Sequence, residues 1–155
     1  MVETDLGEYI QQLDGEPPYH IVTPAMHKSK EDVAALFHRK LGTDPNASPE
    51  ALTNHARALL RDRYVEAGVG ITGANFLLAD TGGVCVTENE GNARMSTTFT
   101  KAHVVIAGIE KVLGSMDDLD LLWPLLAAKG TGQQMTAYNT IFHGPRRESN
   151  DYRAV

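Results

Sequence analysis

The sequence predicts an α/β fold, and two observations carry that prediction. Residues 29–68 place apolar side chains at helical spacing between clear capping residues, whereas residues 76–142 contain short apolar runs typical of strands. A leucine-rich helical segment lies between two of those runs. Because strands and helices mix along the chain, we expect a mixed sheet flanked by helices.

Length and composition indicate one soluble domain. The chain has 155 residues, 42% of them hydrophobic and 22% charged, which is enough for a single core. It contains no run of ~20 apolar residues that would cross a bilayer, and it does not begin with a basic-then-apolar signal segment. We therefore expect a cytoplasmic protein without a membrane span. The net charge of −6 argues against a nucleic-acid surface, which needs clustered Lys and Arg.

The cysteine and histidine content predicts that the chain holds no metal. Cys85 is the single cysteine, so neither an internal disulfide nor a four-cysteine zinc or iron–sulfur site fits the sequence. The six histidines have none of the H-x-H or H-E-x-x-H spacings of zinc sites. We expect Cys85 to be a small core residue and His103 to lie at the edge of the core.

The first elements are predicted from turn and capping residues. Residues 1–24 resemble two short extended pieces around a turn at 14–18, with residues 20–23 the better strand candidate. Ser29 is a predicted helix N-cap with Asp32 as its capping-box partner.

A glycine and a proline mark the next helix boundaries. Gly42 suits the residue after the first helix, and Ser48-Pro49 predicts the start of a second helix that Gly68 ends. The apolar faces of these two helices should anchor the fold, since each buried Leu is worth ~1.5–3 kcal/mol.

Extended structure is predicted after residue 68. Residues 76–79 and 84–87 form a hairpin pattern around Thr81-Gly82-Gly83, and residues 103–109 are typical of a strand buried on both faces. Ser115 is a candidate cap for a helix that Pro124 should bend or divide. Residues 136–142 are the last strand candidate.

Residues 68–73, GVGITG, match the G-x-G-x-x-G fingerprint of dinucleotide-binding folds. That fingerprint binds a pyrophosphate only when a strand precedes it and a helix follows. Here a predicted helix precedes and strand-like sequence follows. We therefore interpret Gly68 and Gly70 as turn and close-packing residues and not as a nucleotide site.

Several long motifs resemble one protein family. GITGANFLLADTGG, followed by TENEGNARMSTTFTKAHVVIAGIEKV, is similar to the lactate-utilisation (LUD) domain of the LutB/LldF iron–sulfur protein family. VETDLGEYI, SKEDVAALFHRKLG and TGQQMTAYNTIFHGPRR agree with the same family, so the similarity covers nearly the whole chain. The chain resembles the later part of that domain.

The resemblance implies a fold and a function. Family members are similar to the NagB/RpiA/CoA-transferase fold, and we expect a partial domain of that kind over residues 1–147, with a flexible polar tail at 148–155. Members act with companion lactate-utilisation subunits in oxidising L-lactate to pyruvate. Their electrons pass through 4Fe–4S clusters in a cysteine-rich region that this chain lacks, so we expect no cofactor here. Where the family more often has glutamate, this chain has Asp80.

The carboxylates of the TENEG segment leave three roles open. Residues 87–91 are similar to the S-E-N-G signature of CoA transferases, in which the glutamate forms a covalent thioester, so Glu88 is the candidate nucleophile. Glu88 and Glu90 are otherwise ligand contacts, or solvated acids that flank a loop.

Basic and polar residues near these segments suit an anionic small molecule, because arginine binds oxyanions bidentately. The candidate ligand-binding residues are Thr72, Gly73, Asn75, Asp80, Thr81, Gly82, Glu88, Asn89, Glu90, Arg94 and Arg146.

Two functional classes remain open. The chain is either a non-catalytic module of an electron-transfer oxidoreductase or an enzyme domain for an acyl or phosphate ligand. Because a partial domain exposes strand edges, we also expect a homo-oligomer.

Overall fold

The computed structural model describes residues 1–144, which include five α-helices and six strands. The helices are α1 (Leu6–Asp14), α2 (Lys30–Leu41), α3 (Pro49–Glu66), α4 (Asn92–Thr98) and α5 (Asp117–Leu126). The strands are β1 (Val69–Gly73), β2 (Phe76–Leu78), β3 (Val84–Glu88), β4 (Ala102–Ile106), β5 (Val112–Leu113) and β6 (Tyr138–Phe142). The mixture confirms the predicted α/β class.

The chain divides into two compact units. One comprises residues 1–70 with 95–102 and is called the helical unit. The other comprises residues 71–94 and the described residues from 103 onward, and is called the sheet unit. In residues 1–144 no helix combines the length and apolarity needed to cross a bilayer.

The caps of α2 and α3 confirm the sequence prediction. Ser29 Oγ accepts the Asp32 N–H at 3.1 Å, while Asp32 Oδ2 accepts the Ser29 N–H at 2.9 Å, which completes a capping box. Ser48 Oγ accepts the Ala51 N–H at 3.2 Å, and α3 begins at Pro49. The helix ends at Glu66, two residues before the predicted glycine.

The prediction of two extended pieces in residues 1–24 is wrong. Asp5 Oδ1 accepts N–H groups at the start of α1, and Gly15, with φ of 79°, ends that helix. Residues 20–23 form a turn in which His20 Nδ1 accepts the N–H groups of Val22 and Thr23. The helical spacing and the caps of residues 5–15 thus determine a helix, and the turn residues that follow only end it.

Apolar side chains from α1, α2 and α3 form the core of the helical unit. Phe37 is 1% exposed and Leu36 2%, and they pack with Ile10, Leu52 and Ala56. Burial of each large side chain contributes ~1.5–3 kcal/mol, so this cluster dominates the stability of the unit.

The sheet unit contains a four-stranded sheet in the order β5-β2-β3-β6. The β2–β3 hairpin is antiparallel and confirms that prediction, with Gly82 at φ 69° in its turn. β6 pairs antiparallel with β3, and β5 pairs parallel with β2. Helix α5 covers one face of the sheet, where Leu119 packs against Leu78 and Cys85.

Helix α5 differs from the prediction at Ser115, while at Pro124 one of the two predicted outcomes, a divided helix, does not occur. Ser115 does not cap it; the Asp118 carboxylate instead accepts the N–H groups of Gly114 and Ser115. Pro124 does not divide the helix, which continues to Leu126 and passes into a π-helical turn.

Strands β1 and β4 pair with each other in a second, two-stranded sheet. The predicted strand at residues 103–109 exists over its first part, but its burial on both faces is wrong. Val104 is 46% exposed and Ile106 69%. These exposed residues alternate with the half-buried His103 and Val105.

Gly70 shows why the fingerprint glycines are needed. A Cβ at this position would lie 2.0 Å from the carbonyl oxygen of Ser96, which no side chain tolerates. No helix follows β1, because the chain continues into β2. Both observations support a packing role and not a nucleotide loop.

Candidate functional site

The strongest candidate site lies where β3 ends and β6 begins. Glu88 is the last residue of β3 and lies opposite Tyr138, the first residue of β6. The Glu88 carboxylate accepts the N–H of Ala93 at 2.7 Å on Oε2 and the N–H of Arg94 at 2.9 Å on Oε1. It therefore caps the first turn of α4, where a negative charge is favourable.

Arg94 lies directly above an aromatic ring at this place. Its guanidinium carbon is 5.1 Å from the centroid of the Tyr138 ring, within cation–π range. Asn89 Oδ1 accepts the N–H of Ala137 at 3.2 Å, which ties the loop after β3 to the segment before β6. We call Glu88, Asn89, Arg94 and Tyr138 the Glu88 site.

A polar network adjoins the Glu88 site on the α5 face of the sheet. Asn75 Oδ1 accepts the Thr87 N–H at 2.8 Å, and Thr87 Oγ1 donates to Asn139 Oδ1 at 3.0 Å. The Trp123 indole N–H donates to Thr87 Oγ1 at 2.6 Å. These bonds fix the end of β3 between α5 and β6, so the backbone that presents Glu88 is held in place.

The structure does not bring all the predicted residues together. Asp80, Thr81 and Gly82 form the hairpin turn at the other end of β3, where Thr81 Oγ1 accepts the Gly83 N–H at 3.3 Å. At ~3.3 Å per residue, the four steps from Val84 to Glu88 separate the two ends by about 13 Å. A ligand of only a few heavy atoms cannot contact both ends at once.

Thr72 and Gly73 lie on β1 and belong to a third place. Thr72 Oγ1 is 2.7 Å from His103 Nε2, and the His103 ring meets Phe142 edge-on at 5.3 Å. Phe142 lies opposite Val84, at the turn end of β3. Burial lowers the pKa of His103, so the ring is neutral at neutral pH and suits the predicted core edge.

Two more predicted residues are Glu90 and Arg146. Glu90 is exposed in the loop before α4, and Arg146 lies outside the described residues. Cys85 is 0% exposed, and burial raises the pKa of its thiol, which confirms its place in the core. Residues 1–144 hold no group of three or more His, Cys, Asp or Glu that would bind a metal ion.

Sequence reasoning missed Tyr138, Trp123 and Asn139. Trp123 is the single tryptophan of the chain, and the Tyr138-Asn139 pair opens the last strand. An aromatic residue followed by an amide at a strand start was the available signal. The sequence does not give the β3–β6 register, and only that register places Tyr138 and Asn139 beside the end of β3.

The helical unit also has an apolar groove of about 200 Å³, lined by residues that include Leu6, Ile10, Val33, Phe37 and Leu52. Its lining is mostly hydrocarbon and contains none of the predicted site residues. Lys30 and Thr53 also line the groove, so it combines a mostly apolar wall with one cation and one hydroxyl.

Comparison with known proteins identifies the family. The family model of the LUD domain matches residues 1–155. The chain is 45% identical over 149 residues to lactate utilization protein B of Bacillus pumilus, and 44% identical over 149 residues to lactate utilization protein B of Bacillus subtilis. It is 44% identical over 146 residues to the electron transport protein YkgF of Escherichia coli.

The alignments cover 94–96% of this chain but 31% of each of these three relatives. The chain thus spans about a third of the length of the curated relatives that it matches. No solved structure shows significant similarity to it. Since the family model matches the whole sequence, the chain belongs to the LUD-domain family.

Proposed function

We propose that this chain is the LUD module of a subunit like lactate utilization protein B, and that it contributes to the oxidation of L-lactate to pyruvate. The observation that carries the proposal is the 45% identity to a relative of that name over 96% of the chain. In this proposal the module acts in the cytoplasm with other lactate-utilisation subunits.

The Glu88 site is the proposed place of ligand binding. L-lactate and pyruvate are both small carboxylates, and the forked guanidinium of Arg94 suits a carboxylate. The Glu88 cap fixes the backbone of Arg94, and the Tyr138 ring supports its side chain. In the proposed complex the ligand carboxylate lies against Arg94, while Asn89 holds the adjoining loop.

Electron transfer is proposed to occur outside this chain. A 4Fe–4S cluster is held by cysteine thiolates, typically four. The chain has one cysteine, and Cys85 is fully buried in an apolar core. These residues do not fit a cluster, so no step of the proposal passes through one here. The name of the Escherichia coli relative, an electron transport protein, agrees with clusters in other parts of such proteins.

The alternative proposal is an enzyme domain for an acyl or phosphate ligand, with Glu88 as a covalent nucleophile. Attack on an acyl group needs a carboxylate oxygen that is free to approach it. Both Glu88 oxygens accept backbone N–H groups, so attack would require the first turn of α4 to open. The geometry therefore disfavours a covalent role for Glu88.

A chimera tests the proposed function. The segment of the Bacillus subtilis protein that aligns with this chain would be replaced by the chain, and growth on L-lactate as sole carbon source measured in cells that lack the native gene. We expect growth, a marked loss with Arg94→Ala, and no loss with Arg61→Ala, an exposed arginine on α3. A chimera that is expressed at the native level but gives no growth would contradict the proposal.

Binding measurements on the isolated chain test the proposed ligand site independently of the growth experiment. Calorimetric titration with pyruvate and with L-lactate should show weak binding that falls at least tenfold with Arg94→Ala and is partly kept with Arg94→Lys. Acetyl-CoA is the probe for the alternative. Binding of acetyl-CoA without binding of either carboxylate would favour the acyl-ligand enzyme.

A further inference from the structure

The apolar groove of the helical unit runs along the first two turns of α1, α2 and α3. The first residue of each helix lines it, and so do residues three, four or seven positions later, which lie on the same side of the helix. Leu6, Lys30 and Pro49 are those first residues. The whole lining lies within residues 6–53, so the groove is a feature of the helical unit alone.

The floor of the groove is hydrocarbon that belongs to a packed core. Ile10, Phe37 and Leu52 are members of that core, and the half-buried Val33 lies between Lys30 and Phe37 on α2. The cavity of about 200 Å³ is therefore formed by side chains that the core already holds in place. Because an apolar cavity of ~150 Å³ holds a benzene-sized molecule, the groove has room for an alkyl chain of about six carbons.

One cation is part of this lining. Lys30 is exposed, and within residues 1–144 its ammonium forms no salt bridge. Hydrogen bonds from its own backbone and from Ser48 lower the pKa of the Glu50 carboxyl, and the charge of Lys30 adds to this effect from a longer distance. Lys30 precedes Phe37 by two helical turns, a rise of about 10 Å along the helix axis. The groove is thus apolar along its length and positively charged at one end.

We propose that the groove binds a small alkyl carboxylate, a free fatty acid with a chain of about six carbons. The alkyl chain lies against Phe37 and Leu52, where it covers hydrocarbon that water otherwise contacts, and the carboxylate lies at Lys30. A mostly apolar wall with a few polar groups that fix the orientation is the usual form of a small-molecule site.

The dimensions of the groove limit the ligand from both sides. A cavity of about 200 Å³ does not enclose a long-chain lipid, so the proposal commits to a short free acid and not to a membrane lipid. L-lactate and pyruvate have no alkyl chain that reaches from Lys30 to Phe37. The groove is therefore a second site, which goes beyond the Glu88 site and does not depend on it.

Three probes separate the contributions of the chain and the charge. Hexanoate has both an alkyl chain and a carboxylate, 1-hexanol has the chain alone, and acetate has the carboxylate alone. NMR spectra of the isotope-labelled chain would be recorded as each probe is added. We expect hexanoate to shift the signals of Val33, Phe37 and Leu52 with a Kd in the millimolar range. We expect 1-hexanol to shift the same signals and acetate to leave them unchanged.

Two variants test the assigned roles. Lys30→Met should weaken hexanoate binding about threefold, since an exposed ion pair changes affinity by a factor of up to about five, and should leave 1-hexanol binding unchanged. The matched control is Lys40→Met, at an exposed lysine in the last turn of α2 that does not line the groove. Val33→Phe should fill the groove and weaken binding of both probes at least tenfold, with circular dichroism to establish that the variant is folded.

Several results would each overturn the proposal. They are the absence of shifts in the groove at tens of millimolar hexanoate, equal shifts with acetate, equal weakening of hexanoate by Lys30→Met and Lys40→Met, and undiminished binding in folded Val33→Phe. Because Lys30 is exposed, Lys30→Met keeps the test decisive even where Val33→Phe does not fold.

Discussion

The helical unit and the sheet unit differ in how they are stabilised. The helical unit closes an apolar core with three helices whose ends are satisfied by neighbouring residues, as at Ser29 and Ser48. The sheet unit has a smaller core and depends on side-chain hydrogen bonds between distant residues, as from Trp123 to Thr87. The helical unit therefore relies mainly on apolar packing, whereas the sheet unit, which contains the candidate site, also relies on side-chain hydrogen bonds between distant residues.

The largest expected effect of a single substitution lies in the helical core. Phe37→Ala should lower the free energy of unfolding by about 3–5 kcal/mol, because it removes a side chain that is 1% exposed and leaves a cavity. Leu59→Ala on the exposed side of α3 is the control and should cost less than about 1 kcal/mol. Urea denaturation followed by circular dichroism measures both. Equal costs would mean that the described core is misassigned.

In the sheet unit the largest polar effect is expected at Thr87. Thr87→Val keeps the shape but leaves the Trp123 indole N–H without its acceptor, which should cost about 1–3 kcal/mol. Because Trp123 is the single tryptophan, its fluorescence spectrum should also change. Thr53→Val, at a hydroxyl that bonds a carbonyl within α3, should leave the spectrum as it is. An unchanged spectrum in Thr87→Val would contradict the hydrogen bond between Trp123 and Thr87.

The Glu88 cap should have a smaller effect on stability. Glu88→Gln keeps one acceptor oxygen and loses the charge, so we expect a cost of about 0.5–2 kcal/mol, mainly as faster amide exchange at Ala93 and Arg94. Glu110→Gln, at an exposed acid, is the control. If amide exchange at both residues is unaffected by Glu88→Gln, the carboxylate does not cap α4.

The smallest effect is expected from the ion cluster of the helical unit, where Lys28 bonds the carboxylates of Asp14 and Glu16. The hydrogen bond from Lys28 lowers the pKa of both carboxyls. A carboxyl whose pKa is lowered by folding stabilises the folded chain at pH values above its ordinary pKa of ~4. This stabilisation is lost as the pH falls through the lowered pKa of the folded state.

Lys28→Met should therefore flatten the fall in stability between about pH 5 and pH 2. Thermal unfolding at several pH values measures this, with Lys129→Met, at an exposed lysine of the sheet unit, as control. An identical pH dependence in Lys28→Met and the parent chain would show that the cluster does not contribute.

Features encoded by near neighbours could be predicted from the sequence. The caps at Ser29 and Ser48 and the turn at Gly82 each involve residues within a few positions, so the local sequence indicates them. Helix α1 is not predicted, although Asp5 and Gly15 mark its ends. The turn residues that follow it suggested extended structure on both sides of a turn.

The geometry of the candidate site could not be predicted, because it depends on pairings between residues that are far apart in the sequence. Glu88 was chosen from its motif, but its capping role and its partner Tyr138 follow from the path of α4 and the β3–β6 register. The length of β3 separates Asp80 from Glu88, although both belong to the predicted ligand site. The exposed face at Ile106 likewise escaped prediction, because an apolar strand does not specify what covers it.

The most direct test of the central proposal is to map where pyruvate binds. Amide chemical shifts of the isotope-labelled chain would be recorded by NMR as pyruvate is added, with acetamide, an uncharged molecule of similar size, as the control. The account predicts shifts concentrated at Glu88, Asn89, Arg94 and Tyr138, absent with acetamide and lost in Arg94→Ala. Shifts centred instead on the Asp80–Gly82 turn, or no shifts at millimolar pyruvate, would contradict it.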